Sequence, residues 1–132
     1  MGKLEGKVAI ITGGGKGIGF GLAKAFAKEG ANLTITGRTM SRLEAAKEKL
    51  KAEYGVKVLP ITADGADEAS VANVVKQTVE TFGHIDTVVN NAQVSKSGVM
   101  LKDHTKEDFD LAIYSGLYAT FFYMRDAYPY LK

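Results

Sequence analysis

An apolar run, Val8-Ala9-Ile10-Ile11, stops at Thr12; five glycines then fall between positions 13 and 19, and a helical pattern of apolar residues begins at once. That order reads as a buried strand, a tight turn and a helix, and it constrains the fold more than any other stretch. Glycines suit the sharp turn and let a bulky phosphate approach the backbone. The free amides and positive dipole end of the following helix favour an anion over the turn. The generic dinucleotide fingerprint G-x-G-x-x-G fits at no register, and Gly17 after Lys16 excludes the phosphate loop G-x-x-x-x-G-K-[ST]. Taken alone, the turn is also compatible with a plain strand–helix connection.

Downstream, Ile18, Leu22 and Phe26 recur at helical spacing as far as Gly30, where a helix stops. A second strand is predicted over 32–36, ending at Gly37-Arg38. Ser41-x-x-Glu44 reads as a capping box that opens a second helix, with Leu43, Ala46, Leu50 and Tyr54 on one face and Gly55 at its end. The third strand is predicted over 56–61. Asp67 caps a third helix striped by Val71, Val74, Val75, Val79 and Phe82 and closed by Gly83. A fourth strand over 85–89, a loop over 91–104 and a helix opened by Thr105-x-x-Asp108 follow. Strand and helix alternate four times, and the strand runs are continuously apolar, as expected of a parallel sheet covered on both faces. Right-handed crossovers make this an α/β fold, a Rossmann-type doubly wound parallel sheet with strand order 3-2-1-4. Ligands of such sheets sit at the carboxyl ends of the strands. The glycine loop, Arg38, Asp64 and Asn90 all fall at that edge.

With 132 residues the chain reads as a single domain, 1–132, and its net charge of +2 suggests neither nucleic acid nor an acidic membrane as partner. It has no cysteine, no charged-then-apolar leader and no long apolar run, so a soluble, cytoplasmic protein without disulfides is expected. His84 and His104 have no partners at metal-ligand spacing; no metal site is expected.

Thr12-Gly13-x-x-x-Gly17-x-Gly19 resembles the glycine motif of the short-chain dehydrogenase/reductase family. Asn90-Asn91-Ala92-Gln93 resembles that family's N-N-A-G motif, with Gln93 in the glycine's place. The resemblance covers essentially the whole chain but only the first half of a family member. It implies the NAD(P)-binding portion of an oxidoreductase that moves a hydride between nicotinamide and a carbonyl/alcohol pair, for example of the 3-oxoacyl type. Thr12, Gly13, Gly15, Lys16, Gly17, Ile18 and Gly19 would then cradle the pyrophosphate. Arg38 and Thr39 would meet the adenosine ribose, Asp64 and Gly65 the adenine, and Asn90, Asn91 and Ala92 would line the adenosine and steady the sheet. An Asp-Gly at 64–65 could equally be a simple turn.

Arg38 lies about twenty residues past the glycines, where a carboxylate would accept from a free 2′-hydroxyl and repel a 2′-phosphate. A guanidinium there, with the Lys16 ammonium in the glycine loop, suits the extra phosphate, so NADP(H) is favoured over NAD(H).

The family's chemistry needs a Ser, then a Tyr, then a Lys four positions after it, following a fifth strand. Ser115, Tyr128 and Lys132 reproduce the spacing by number. No strand separates Asn91 from Tyr128, however, and a continuous helix would hold Ser115 and Tyr128 about 20 Å apart. Pro129 also disfavours the α conformation at Tyr128. The expectation is that no catalytic residue lies in this chain and that it does not turn over by itself. Where the family carries a helix asparagine used in proton relay, this chain has Gly116, which could loosen the helix but offers no side chain.

The last helix is apolar nearly all round, with Phe109, Tyr114, Leu117, Tyr118, Phe121, Phe122, Tyr123, Met124 and Tyr128. A homo-oligomer through this helix (108–128), or cover from a C-terminal half, is expected. The rival reading from another class is a non-catalytic half-Rossmann nucleotide-binding or assembly module.

Overall fold

The computed structural model describes residues 2–94 and 98–131. Four parallel strands, β1 (Val8–Thr12), β2 (Asn32–Gly37), β3 (Val58–Thr62) and β4 (Thr87–Val89), form one sheet in the order β3-β2-β1-β4. Helices α1 (Gly17–Lys28), α2 (Met40–Tyr54) and α3 (Glu68–Phe82) connect them as right-handed crossovers require. The fourth helical stretch runs as α4 (Lys106–Ala112), a π-helical segment (Ile113–Tyr118) and α5 (Ala119–Ala127).

Strand alternation sorts the core into two layers. Ala9 and Ile11 of β1, Leu33 and Ile35 of β2 and Val58 of β3 pack with Ala23 and Ala27 of α1 and Leu43, Ala46 and Leu50 of α2. On the opposite face Ile10 and Ile61 pack with Val71, Val74 and Val75 of α3 and with Tyr123 and Ala127 of α5. Two threonines pair inside this core. Thr78 donates to the Val74 carbonyl at 2.7 Å, so its single proton is used and Thr34 donates to Thr78 at 2.8 Å.

Several local expectations are corrected. The buried stripe of α1 is Gly19, Ala23 and Ala27, with Ile18 78% exposed, because small residues let the helix lie close on the sheet. Helix α2 starts at Met40 with Thr39 as N-cap, so Ser41 lies inside the first turn and the Ser41/Glu44 capping box does not form. β3 starts at Val58 rather than at 56, and β4 is confined to Thr87–Val89. Ile85 instead makes an isolated parallel bridge to Leu131, on the side of β4 away from β1. Within the expected loop, Leu101–Asp103 form a 3-10 turn. Helix α4 does carry its capping box: Thr105 accepts from the Asp108 amide, and the Asp108 carboxylate accepts from the Thr105 amide, both at 3.1 Å.

Candidate functional site

β1 ends at Thr12, buried and bonded in three directions. Its hydroxyl accepts from the amides of Asn91 and Ala92, each at 2.9 Å, and donates to the Val89 carbonyl at 3.3 Å. One side chain therefore fixes the segment leaving β4 against the end of β1. Gly13 follows with φ +69°, and a Cβ there would stand 3.0 Å from the Asn91 side-chain nitrogen. The Gly14 amide donates to the Thr36 carbonyl at 3.1 Å, which ties the turn to β2. Gly17 opens α1 at φ +59°, and a Cβ on it would meet no protein atom within 4 Å. The space over this residue is open.

These segments wall a cleft of about 580 Å³ along the carboxyl edge of the sheet. Of the sequence-predicted residues, Thr12, Gly13, Gly15, Lys16, Gly17, Arg38, Thr39, Asp64, Gly65, Asn90, Asn91 and Ala92 line it. Ile18 and Gly19 do not. Gly19 is buried, and a Cβ there would run into the Gly13 carbonyl and stand 2.7 Å from the Asn91 side-chain nitrogen. Its place is the seam between α1 and the turn, where any side chain would force the two apart.

The helix termini at the cleft differ from those elsewhere. No side chain caps α1 or α2, and neither has an acidic residue in its first turn. By contrast, α3 is capped by Asp67 and begins with Glu68, and α4 has its Thr105 box. The two starts at the cleft thus keep amides and dipole uncompensated by protein acids, which favours an anionic ligand. Arg38 and Arg42 stand at the second of them, both exposed, and Lys16 precedes the first. Together with the open space over Gly17, this arrangement fits a dinucleotide diphosphate.

Asp64 is built into its turn: Oδ1 accepts from the Ala66 amide at 2.9 Å, and its own amide donates to Ser70 Oγ at 3.0 Å. The turn role and a place on the cleft wall coexist. Gly65 packs against α5, where a Cβ would stand 2.6 Å from that of Ala119.

Sequence reasoning missed Arg42 and Tyr123, which also line the cleft, as does Ser115, which was set aside with the Tyr128/Lys132 spacing. Arg42 was signalled by its place at the start of the predicted second helix, just past the turn that carries Arg38; Ser115 and Tyr123 arrive by tertiary packing alone. Burial pushes the Tyr123 phenol up to about 12, opposed by hydrogen bonding from Thr36. Tyr128 does not line the cleft and is 77% exposed. The expectation that Pro129 keeps Tyr128 out of the α region is not met, since Tyr128 has φ −48° and ψ −47°. What Pro129 does is turn the end of α5 into a 3-10 turn over Tyr128–Tyr130. The helical backbone does run from Ser115 to Tyr128 without a gap, π-bonded as far as Tyr118 and α-helical over α5. Lys132 lies outside the described residues. His84 Nε2 stands 2.8 Å from Asp86, whose carboxylate also accepts from the Val8 amide at 2.8 Å, a brace at the far end of the sheet. Among the described residues no helix is long and apolar enough to cross a membrane.

Comparison with known proteins agrees with this geometry. The sequence profile of the short chain dehydrogenase family matches residues 7–132. A 12α-hydroxysteroid dehydrogenase from a Clostridium species is 56% identical across 100% of this chain, which covers 53% of that protein. A short chain dehydrogenase from Burkholderia cenocepacia solved in complex with NADP superimposes with a TM-score of 0.91 at 35% identity, over 98% of this chain and 52% of that one. L-sorbose reductase from Gluconobacter frateurii, complexed with NADPH and L-sorbose, gives 0.90 at 36% identity, over 98% and 48%. The chain spans about half the length of the relatives it matches. A match beginning just before β1 and running to the last residue, over a superimposable sheet, leads to one conclusion: this chain belongs to the short-chain dehydrogenase family.

Proposed function

We propose that the chain is the NADP(H)-binding portion of an oxidoreductase acting on an alcohol/carbonyl pair, with Arg38, Arg42 and Lys16 receiving the 2′-phosphate end. When bound, the nicotinamide supplies or accepts the hydride; the residues of this chain bind and orient it. The carrying observation is that β2 ends in Gly37-Arg38, with Arg42 also on the cleft wall, where a carboxylate would select the unphosphorylated ribose. The amides of the glycine turn and of α1 would face the diphosphate. Asn91 and Ala92, held by Thr12, would line the wall beside it. The Burkholderia and Gluconobacter proteins were solved with NADP and NADPH, which supports the same preference. Identity to a 12α-hydroxysteroid dehydrogenase makes a hydroxysteroid the substrate class we propose for the whole protein.

Titration with NADPH and NADH, on the wild type and on Arg38→Ala, tests the reading. A charge-assisted bond of about 1.5–3 kcal/mol predicts a preference for NADPH of roughly ten- to a hundredfold that collapses in the variant. Equal binding of both cofactors, or a preference untouched by the substitution, would refute it. The chain by itself is proposed to lack turnover. NADPH formation from a 12α-hydroxysteroid that disappears in Tyr128→Phe would overturn that point.

A second reading concerns association. Phe109, Leu117, Phe121 and Met124 along α4–α5 are each more than half exposed. Such a patch favours a homo-oligomer or cover by further chain. Sedimentation of the wild type against Phe121→Lys tests the former; identical monomeric behaviour of both would exclude it.

A further inference from the structure

The cleft has two ends. β2 and β4 flank β1 on opposite sides. A ligand whose diphosphate lies over the β1 turn therefore extends toward Arg38, after β2, in one direction and toward Gln93, after β4, in the other. With the 2′-phosphate at the Arg38 end, the β4 end is left for the nicotinamide nucleotide.

Three observations describe that end. The Ser115 hydroxyl donates to the Val94 carbonyl at 2.8 Å and accepts from the Val94 amide at 2.9 Å, which locks the loop after β4 to the π segment. The neighbouring Gly116 leaves a notch: a Cβ there would meet only Gln93, 3.7 Å from its Cγ and 3.9 Å from its Cδ. The stem of Gln93 thus rests on a residue without a side chain. Finally, Gln93 is exposed on the cleft wall, and its carboxamide has no hydrogen-bond partner among the described residues. A carboxamide offers a donor and an acceptor together, which matches adjacent ribose hydroxyls.

We propose that Gln93 is a specificity-determining residue for the nicotinamide half of the dinucleotide, its carboxamide hydrogen-bonding the ribose hydroxyls of that half. The Ser115–Val94 lock and the Gly116 notch hold it there. This rests on the cleft being the NADP(H) site. It goes beyond that reading by giving a role to a side chain that stands where the family motif has none.

The experiment compares two ligands by calorimetric titration: NADPH, and adenosine 2′,5′-bisphosphate, which carries the adenosine end alone. Gln93→Leu is expected to weaken NADPH roughly three- to tenfold while leaving the bisphosphate within about twofold. Gly116→Leu fills the notch and should reproduce the NADPH loss. Adding Gln93→Leu to it should cost nothing further, because the two residues act through one contact. Arg38→Ala should weaken both ligands. If Arg38→Ala acts but Gln93→Leu affects both ligands alike, or neither, the proposal is overturned and the cofactor reading stands. If Arg38→Ala changes neither ligand, the cofactor reading itself fails. Gln93 lies on the surface, so the Gln93→Leu result decides the matter even where Gly116→Leu impairs folding.

Discussion

Removing the hydroxyl of Thr12 while keeping its shape, as in Thr12→Val, strips three hydrogen bonds from one point. The amides of Asn91 and Ala92 lose acceptors at 2.9 Å, and the Val89 carbonyl loses a donor at 3.3 Å. A carbonyl with two lone pairs tolerates the loss, so the two amides dominate. Each buried donor left without a partner costs about 1–3 kcal/mol. These bonds are only partly buried and water can reach part of the segment, so the sum lies near 2–4 kcal/mol. Thr12→Ser keeps the hydroxyl and loses one methyl, which costs about 1 kcal/mol. Urea unfolding of the three proteins measures the difference directly, and NADPH titration reads the consequence for the cleft wall. Thr12→Val should lose stability and cofactor affinity together, while Thr12→Ser retains most of both. The reasoning is refuted if Thr12→Val unfolds within about 0.5 kcal/mol of the wild type, or if the serine variant is no better than valine.

The buried threonine pair gives an asymmetric expectation. Thr78→Val strands the Thr34 proton, whereas Thr34→Val leaves Thr78 donating to Val74; Thr78→Val should cost about 1–3 kcal/mol, Thr34→Val less, and the double variant less than their sum by chemical denaturation. Tyr123 stays protonated in the folded chain up to about pH 12, against 10.0 for a free phenol. Its contribution is therefore complete below pH 10, and stability should fall by roughly 2–3 kcal/mol from pH 10 to pH 12, a fall that Tyr123→Phe removes in pH-dependent unfolding. Gly19→Ala should destabilise by about 1–3 kcal/mol, because the atoms in its way are backbone of the glycine turn. Gly17→Ala meets no atom and should cost only the left-handed penalty of about 1–2 kcal/mol, as thermal melts of the two variants will show.

The strand order and most of the cleft were legible in the sequence, because glycine turns and apolar runs mark where strands end, and strand ends are where the cleft lies. Less legible was what small residues do. Gly19, Ala23 and Ala27 form the seam of α1, yet apolar periodicity gives weight to Ile18, Leu22 and Phe26. The start of α2 was misplaced because Ser41 and Glu44 have the spacing of a capping box, while the chain already turns at Thr39. Ser115 and Tyr123 reach the cleft only because α5 folds back across α3, a contact with no local signature.

The π-helical segment over Ile113–Tyr118 also sets a rule of phase. Its i→i+5 bonding takes up one residue more than α-helical bonding would, which turns everything after it by about 100°. Ala119, Tyr123 and Ala127 face the sheet only with that offset in place. Inserting a single further residue would swing this column away and bring its neighbours, Phe122 and Asp126, toward the strands, whereas deleting one from the segment would let it close into plain α-helix with the column in place. Along this helix, one residue fewer is absorbed more easily than one more.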